Sequence, residues 1–272
     1  MTETAIDRDF EALTAKIARE RGFGCASYKE KCLRRRIAVR MRARGVHTYA
    51  DYASILDTDA HEYELLLDAL TINVTKLFRN WETFRAIEAI CLPALWALPD
   101  PALRIWSAGC ASGEETHSLA ILMHRFVSGR GESPQLGRVC VIGTDIDRAS
   151  LEAARRGAYV EAAFADTPAE LRERYFSSTP PHVVHDDVRR LVRFEHRDLL
   201  SDTPPAADLH LITCRNVLIY FDRDTQEMLF QKFHEALAPG GFLVLGKVET
   251  LFGPTRARFQ AVEPRERIFR RQ

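Results

Sequence analysis

Apolar positions in the first seventy residues recur at the spacing of helices. Ile6, Phe10, Leu13 and Ile17 follow one another at three and four residues, and two later stretches repeat the pattern. The later positions are Leu33, Ile37 and Met41, then Leu65, Leu66, Ala69 and Leu70. Such spacing places apolar side chains on one helix face. Because no segment here alternates as a strand would, the pattern predicts a small all-α domain over residues 1–71, with three or four helices.

After Trp81, apolar runs of four to six residues alternate with helical stretches, which is typical of a parallel sheet covered by helices. The predicted strands are Leu103–Ser107, Arg138–Thr144, Leu191–Glu195, Leu209–Thr213 and Gly241–Gly246. The predicted helices are Glu114–Val127, Arg148–Arg156 and Arg223–Leu237, the last ended by Pro239-Gly240-Gly241. We therefore expect a Rossmann-like α/β domain over 84–272, a linker at 72–83, and a small β insertion at about 157–195, where the rhythm breaks.

Charge and composition narrow the function classes. Lys and Arg total 38, as do Asp and Glu, but residues 81–253 hold 18 basic against 24 acidic side chains. This negative middle argues against a nucleic-acid binder with one large basic face. No apolar run approaches the roughly 18 residues that cross a bilayer, and the first twenty residues lack a signal-peptide core, so we expect a cytoplasmic chain. The six cysteines form no C-x-x-C pair, and we predict no metal site.

A loop of small residues follows the first predicted strand and opens a helix. Gly109 and Gly113 would let a ligand approach the backbone there. Glu114 and Glu115 at the helix start would repel a pyrophosphate but suit a ligand with an amine or a sulfonium. On this motif alone, a plain strand-to-helix turn is an equal alternative.

Polar side chains also end two further strands. Asp145 closes the second, where a carboxylate commonly binds the two hydroxyls of a ribose. Arg215 and Asn216 follow the fourth and would point into the same crevice. The alternatives are a helix N-cap near Asp147 and a core segment after Asn216. The loop and Asp145 together favour a cofactor that contains a nucleoside.

Taken together, these segments resemble the CheR family of bacterial chemoreceptor glutamate O-methyltransferases, which use S-adenosylmethionine. The resemblance covers nearly the whole chain. It rests on Tyr28-Lys29 with Leu33 to Met41, Asn73-x-Thr75-x-Leu77-Phe78-Arg79, Trp106 to Glu115, Cys214 to Phe221, and Leu237 to Gly246. It implies methyl transfer from S-adenosylmethionine to receptor glutamates, with S-adenosylhomocysteine as product and no metal.

The resemblance also implies residue roles. The cofactor-binding residues would be Asn73, Thr75, Arg79, Gly109, Glu115, Asp145, Asp198, Leu199, Arg215, Asn216 and Val217. Among these, Glu115 would hold the methionine amine, Asp145 the ribose, and Asp198-Leu199 the adenine. Arg79 and Tyr220 would border the transferred methyl as catalytic residues. Leu77, Thr116-His117 and Lys247-Val248 depart from the family pattern, and the last two pairs would put unusual polar groups near the crevice.

A strongly basic segment precedes the sheet domain. Residues 29–44 hold eight basic side chains against Glu30 alone, while Leu33, Ile37 and Met41 make an inward stripe. The resemblance implies that such a helix docks on the acidic helical cytoplasmic domain of a chemoreceptor. The residues we assign to docking are Arg34, Arg35, Arg36, Arg40, Arg42 and Arg44. A solvated basic face is the alternative, and we expect a monomer without nucleic-acid partners.

Two other functions compete with this one. A base-amine methyltransferase would need an acidic or amide residue before Pro-Pro and an aromatic, and the pairs at 180–181 and 204–205 lack such neighbours. A catalytically weak module that senses S-adenosylmethionine would keep the cofactor site and lose turnover through Thr116, His117 or Lys247. A glutamate is already ionised at neutral pH, so methyl transfer to it needs alignment and desolvation rather than a strong base.

Overall fold

The computed structural model describes residues 3–71 and 75–272. Within this range the chain divides into two compact units. The helical unit contains the described residues before 73 together with Tyr220–Gln226, and the sheet unit contains 75–219 and 227–272. The assignment of Tyr220–Gln226 to the helical unit was not expected, because this segment follows the fourth predicted strand directly in sequence.

The described part of the helical unit contains four complete α-helices, within the three or four that the apolar spacing predicts. They are α1 (Glu3–Arg21), α2 (Glu30–Ala43), α3 (Tyr49–Thr58) and α4 (Ala60–Leu70). Side-chain caps define two helix starts: the Thr48 hydroxyl accepts from the N–H of Asp51 at 3.1 Å, and the Asp59 carboxylate accepts from that of Glu62 at 3.0 Å. Such caps satisfy N–H groups that have no partner inside the helix.

The sheet unit is built on seven strands in the order β5-β2-β1-β6-β7-β9-β8. Its strands are β1 (Leu103–Ala108), β2 (Val139–Asp145), β5 (Val192–His196), β6 (Leu209–Cys214), β7 (Leu237–Leu245), β8 (Phe259–Glu263) and β9 (Ile268–Arg271). The first five are mutually parallel, and β9 pairs antiparallel with both β7 and β8. The predicted Rossmann-like α/β class is confirmed, with β8 and β9 as an unpredicted addition.

One boundary prediction was wrong. The helix before β7 ends at Ala236, and Pro239-Gly240-Gly241 lies inside β7 instead of forming the break between helix and strand. Close packing accounts for this, because a Cβ on Gly241 would lie 2.9 Å from the Ala238 carbonyl oxygen and 3.1 Å from that of His210. Glycine therefore lets the strand begin early against its neighbour.

Helices cover the sheet, and a small insertion interrupts the sequence of strands. The helices are α5 (Trp81–Ala86), a π-helical turn (Ile87–Cys91), α6 (Leu92–Trp96), α7 (Glu114–Gly129), α8 (Arg148–Arg156), α9 (Ala169–Tyr175), α10 (Asp186–Arg189) and α11 (Arg223–Ala236). The insertion carries a short antiparallel pair, β3 (Ala158–Tyr159) and β4 (His182–Val183). Among the described helices, none is long and apolar enough to span a membrane.

Candidate active site

The predicted site residues gather where the parallel strands end. Strand register sets Ala108 beside Thr144, Ser107 beside Thr213, and Cys214 beside Leu245. The loops that follow β1, β2, β6 and β7 therefore leave the sheet at one edge, which is where open α/β sheets bind ligands. Gly109, Asp145 and Asn216 are brought together at this edge, as the sequence predicts.

The loop after β1 is fastened to the end of β2. The N–H groups of Gly109 and Cys110 donate to the Thr144 carbonyl at 2.9 and 3.0 Å, and the N–H of Ala111 donates to Asp145 Oδ2 at 2.8 Å. The other Asp145 oxygen accepts from the N–H of Asp147 at 2.9 Å. Burial raises the pKa of Asp145, against the lowering effect of these N–H donors. Asp145 thus fixes the conformation of the loop after β1 without a bound ligand.

Glu115, in the first turn of α7, reaches back to the strand ends. Its Oε1 accepts from the hydroxyls of Ser107 at 2.9 Å and Thr213 at 2.6 Å, on the neighbouring strands β1 and β6. Its other oxygen, Oε2, lies 3.1 Å from the Arg215 guanidinium, and the Glu115 side chain is 14% exposed. Glu114 points elsewhere, because its carboxylate accepts from the Ser112 hydroxyl at 2.8 and 2.9 Å, and burial raises its pKa. The choice of Glu115 for a ligand amine therefore fits the geometry.

Arg215 connects the crevice to the linker. Its guanidinium donates to Glu115 Oε2 at 3.1 Å, to the Arg79 carbonyl at 2.7 Å and to Asn80 Oδ1 at 3.1 Å. The ring of Phe84 lies 5.3 Å from the guanidinium carbon. Arg215 is 6% exposed, and its two terminal nitrogens are taken by protein acceptors. This arrangement favours a positioning role over the direct cofactor contact that the resemblance implies.

The described part of the linker is held in an unusual backbone conformation. Phe78 and Asn80 have φ values of 52° and 62°, in the left-handed region that bulky residues rarely enter. The N–H of Phe78 donates to the Ser118 hydroxyl at 2.8 Å, and Leu77 and Phe78 are fully buried. Backbone strain of this kind persists where surrounding contacts enforce it, commonly at functional sites. Arg79 lies between the two strained residues, and Thr75 is half-buried.

Three further predicted residues extend the same edge. Asp198 lies two residues after β5, where its oxygens accept from the N–H of Leu200 at 2.9 Å and the Ser201 hydroxyl at 3.0 Å. The Leu199 carbonyl accepts from Lys232 at 2.8 Å, which fixes this loop on α11. Val217 packs on the loop after β1, since a Cβ on Gly109 would lie 2.6 Å from Val217 Cγ2.

Asn73 lies outside the described residues, and Tyr220 belongs to the helical unit. There the Tyr220 carbonyl accepts from the N–H of Lys29 at 2.8 Å, and the Arg36 guanidinium carbon lies 5.1 Å from its ring centroid. The structure therefore groups Tyr220 with α2, which sequence order did not indicate.

His117 and Lys247, two of the residues that depart from the family pattern, both have partners within the protein. His117 is 1% exposed, with Nδ1 2.6 Å from the Tyr159 hydroxyl and its ring against Phe194. Burial lowers the pKa of His117 to about 3. Lys247 extends instead to Glu266 at 2.5 Å. The His117 and Lys247 side chains thus both contact neighbouring side chains.

Several arginines of the basic helix α2 have partners within the helical unit. Arg36 donates to the carbonyls of Ala69 at 2.9 Å and Leu70 at 2.7 Å, so it caps the end of α4. Arg40 forms a two-pronged ion pair with Glu62, whose side chain has no exposed surface. Arg44 pairs with Asp59 at 3.0 Å and lies 3.9 Å from Glu62, and Arg34 pairs with Asp7 and Glu30. Four of the six arginines assigned to docking are therefore engaged within the helical unit.

The exposed basic stripe of α2 contains other residues. Lys31, Arg35, Val39 and Arg42 follow one another at four, four and three residues and are all exposed, Val39 by 49%. This spacing places them on one helix face. Among the predicted docking residues, Arg35 and Arg42 thus remain available to a partner.

The hydrogen-bond acceptors at the strand edge fit a nucleoside cofactor with an amino-acid moiety. Glu115 and Asp145 supply two separate carboxylates, and the buried Oδ1 of Asn216 has no hydrogen-bond partner. An unpartnered buried acceptor is costly, so a ligand donor at this position would be favourable. Within the described residues, no cluster of three or more His, Cys, Asp or Glu side chains could hold a metal ion.

Comparison with known proteins identifies the family of the chain. The CheR methyltransferase SAM-binding domain model matches residues 73–268, and the CheR methyltransferase all-alpha domain model matches residues 8–71. The chain belongs to the CheR methyltransferase family. The range matched by the S-adenosylmethionine (SAM)-binding domain model includes the strand edge described above.

Individual relatives share this family. The chain is 32% identical to a chemotaxis protein methyltransferase of Listeria monocytogenes, over 92% of both chains. It is 33% identical to chemotaxis protein methyltransferase 2 of Pseudomonas aeruginosa, over 89% of this chain and 86% of that protein. A 104.1 kDa protein of Rhodobacter capsulatus is 34% identical over 89% of this chain, which spans 25% of that protein's length.

Proposed function

We propose that this protein transfers a methyl group from SAM to glutamate carboxylates of a chemoreceptor signalling domain. The observation that carries the proposal is the strand edge, where Glu115, Asp145 and Asn216 offer acceptors to one ligand. The chemotaxis methyltransferases of Listeria and Pseudomonas support the pathway, and the substrate glutamate follows from the resemblance of the motifs.

Methyl transfer to a carboxylate requires that the acceptor oxygen, the methyl carbon and the sulfur lie in line. When bound, SAM supplies a methyl group on a positive sulfonium, which a carboxylate oxygen can attack in line. Glu115 would hold the amine end, Asp145 would accept from the ribose hydroxyls, and Asp198-Leu199 would flank the adenine. Arg215 keeps the linker against Glu115, so that Arg79 stays in place. Because the acceptor is ionised at neutral pH, positioning and exclusion of water lower the barrier without a general base.

Arg79 and Tyr220 stay our candidates for residues beside the methyl group. We assign Arg79 the role of orienting the acceptor carboxylate. A tight ion pair with Arg79 would stabilise the anion and slow its attack on the methyl group. We expect Arg79→Ala to reduce turnover severely, and Tyr220→Phe to reduce it with less effect on SAM affinity. Unchanged rates in both variants would remove them from the site.

Receptor docking is assigned to the exposed stripe of α2. Lys31, Arg35 and Arg42 present positive charge around Val39, which suits an acidic helical bundle with some apolar surface. The cytoplasmic location, the monomeric state and the absence of nucleic-acid partners belong to the same proposal.

The decisive experiment is incorporation of labelled methyl from SAM into purified receptor signalling domains, with the methylated residues identified by mass spectrometry. Glu115→Gln is the matched control, because it keeps the shape of the side chain and removes its charge. Labelled glutamates that disappear with the control variant support the proposal. SAM binding without incorporation into any receptor would favour a sensing module instead.

A further inference from the structure

Glu249 is a buried carboxylate for which the sequence suggests no role. It lies four residues after β7 and is 5% exposed. Its Oε2 accepts from the N–H of Gly246 at 2.6 Å and of Asn216 at 3.0 Å, and its Oε1 accepts from the N–H of Ile219 at 3.3 Å. A buried carboxylate with three backbone donors is itself fixed in place, and it fixes the backbone that donates to it.

The backbone that it holds is the turn after β6. Asn216 has a φ of 61°, in the left-handed region, where a side chain is strained unless neighbouring contacts compensate. The bond from the Asn216 N–H to Glu249 supplies such a contact on one side, and the bond from Ile219 supplies another three residues later. Glu249 therefore spans the whole turn from Asn216 to Ile219.

The turn from Asn216 to Ile219 packs against the loop after β1. Val217 sits so close to Gly109 that a Cβ there would lie 2.6 Å from Val217 Cγ2. On the opposite side, a Cβ on Gly246 would lie 2.7 Å from Glu249 Oε2 and 2.9 Å from the Asn216 nitrogen. The turn after β7 thus packs on the turn after β6, which packs in turn on the loop after β1. A small shift of Glu249 would therefore displace the loop that would surround the cofactor.

We propose that Glu249 is a positioning residue that sets the position of Asn216 and Val217 at the cofactor crevice. The inference rests on the proposed SAM site and adds to it a residue outside the crevice. Glu249 acts through the backbone, because its carboxylate oxygens face N–H groups of Gly246, Asn216 and Ile219. Glu249 is thus not a catalytic residue.

The test compares Glu249→Gln with the wild-type protein by two measurements. The amide replaces one acceptor oxygen by an NH₂ group, so at least one backbone N–H loses its acceptor. Hydrogen–deuterium exchange without ligand should quicken in the segments around 214–219 and 245–249. SAM affinity by calorimetry should fall by about tenfold, which corresponds to the loss of about one hydrogen bond between the displaced Asn216-Val217 turn and the ligand.

His210→Gln is the matched control for general destabilisation. His210 is also buried and hydrogen-bonded, accepting from the N–H of Arg104 at 3.1 Å and lying 3.0 Å from Asp100, but it is at the opposite end of β6. The His210→Gln variant should have a lower melting temperature and the wild-type affinity for SAM. Should Glu249→Gln fail to fold, Gly246→Ala applies the same displacement through its new Cβ, with the same expected results.

The outcomes separate this inference from the proposed function. Exchange at 214–219 that stays at the wild-type rate overturns the anchoring role of Glu249. Faster exchange with unchanged SAM affinity and turnover overturns its positioning role at the crevice. A wild-type protein that binds no SAM would instead overturn the proposed function, whereas the exchange measurement would still report on the anchor.

Discussion

Arg215 and Glu115 form an ion pair of 3.1 Å between the end of β6 and the start of α7. The same guanidinium donates to the Arg79 carbonyl at 2.7 Å. One side chain thus links the proposed amine-binding carboxylate to the linker that carries Arg79. The pair is nearly closed to solvent, with 2% of the Arg215 side chain and 14% of the Glu115 side chain exposed, so salt should screen it weakly.

Arg215→Lys tests this link. Lysine keeps the positive charge but lacks the planar fork that reaches Glu115 and the linker together. We expect SAM affinity and turnover each to fall by roughly tenfold or more, as for a lost charged hydrogen bond. Calorimetry and the methylation assay measure the two effects. Arg193→Lys on β5, which changes an exposed ion pair with Glu195, should behave as wild type. Equal behaviour of the two variants would contradict the positioning role of Arg215.

Gly109→Ala tests the packing of the cofactor loop. Gly109 has a φ of 75°, and a Cβ there would lie 2.6 Å from Val217 Cγ2. We expect about 1–3 kcal/mol of lost unfolding free energy from overpacking, together with weaker SAM binding. Gly129→Ala is the matched control, because a Cβ at this helix end meets nothing within 4 Å. Denaturant unfolding and calorimetry would decide, and a stable Gly109→Ala variant with full affinity would show that the loop adapts freely.

Sequence patterns predict the strand edge well because parallel strands leave a sheet at the same edge. The apolar runs locate β1, β2 and β6, and the first polar residues after them must then be neighbours. The strands β8 and β9 escape this reasoning, since they are short, and β9 ends in Arg270-Arg271. They join the sheet because β9 pairs with β7 and β8 pairs in turn with β9.

Side-chain partners from distant elements are the other part that the sequence does not reveal. Helical spacing correctly places Arg36 and Arg40 on one face of α2. It gives no sign that α4 presents Glu62 and two carbonyls to that face. Likewise, the role of Glu249 depends on a turn that returns its carboxylate to the end of β6.

His117 should make the protein sensitive to acid. In the unfolded chain it binds a proton below about pH 6.5, whereas in the folded protein its pKa is about 3. The unfolded state therefore binds more protons between these values, and stability falls as pH drops through that window. The contribution is about 1.4 kcal/mol per pH unit.

The variant His117→Phe isolates this effect because it removes the titrating imidazole. The buried carboxyls with raised pKa are the same in the variant and in the wild type. Denaturant unfolding at pH 7, 6 and 5 should give a weaker pH dependence in the variant than in the wild type. Identical slopes would show that the pKa of His117 is alike in the folded and unfolded protein, which contradicts the prediction.

Asp145→Asn tests the ribose contact and the loop at once. The asparagine keeps one acceptor oxygen, so one of the N–H groups of Ala111 and Asp147 loses its partner, and the ribose loses a charged acceptor. We expect SAM to bind more weakly by roughly 1.5–3 kcal/mol, measured by calorimetry. Asp147→Asn, at the N-cap of α8, should retain the wild-type affinity because its side chain accepts from Ala149 outside the crevice. Equal affinity of the Asp145 variant and the wild type would remove the ribose assignment.

The basic helix offers a prediction in which two kinds of arginine behave differently. Arg35 and Arg42 are exposed and form no ion pair within residues 3–71, so Arg35→Glu with Arg42→Glu should leave the fold intact and weaken receptor binding. Arg40→Ala should instead cost about 3–5 kcal/mol of unfolding free energy, because it leaves the fully buried Glu62 carboxylate without its main partner.

Binding to a receptor signalling domain at low and high salt distinguishes these roles. The double variant should lose affinity mainly at low salt, since exposed charges are screened by ions, and SAM affinity should not change. Arg156→Glu with Arg265→Glu, two exposed arginines of the sheet unit, carries the same change in net charge as a control. If both double variants bind the receptor alike, the effect is one of overall charge, and the stripe of Lys31, Arg35, Val39 and Arg42 is not the docking surface.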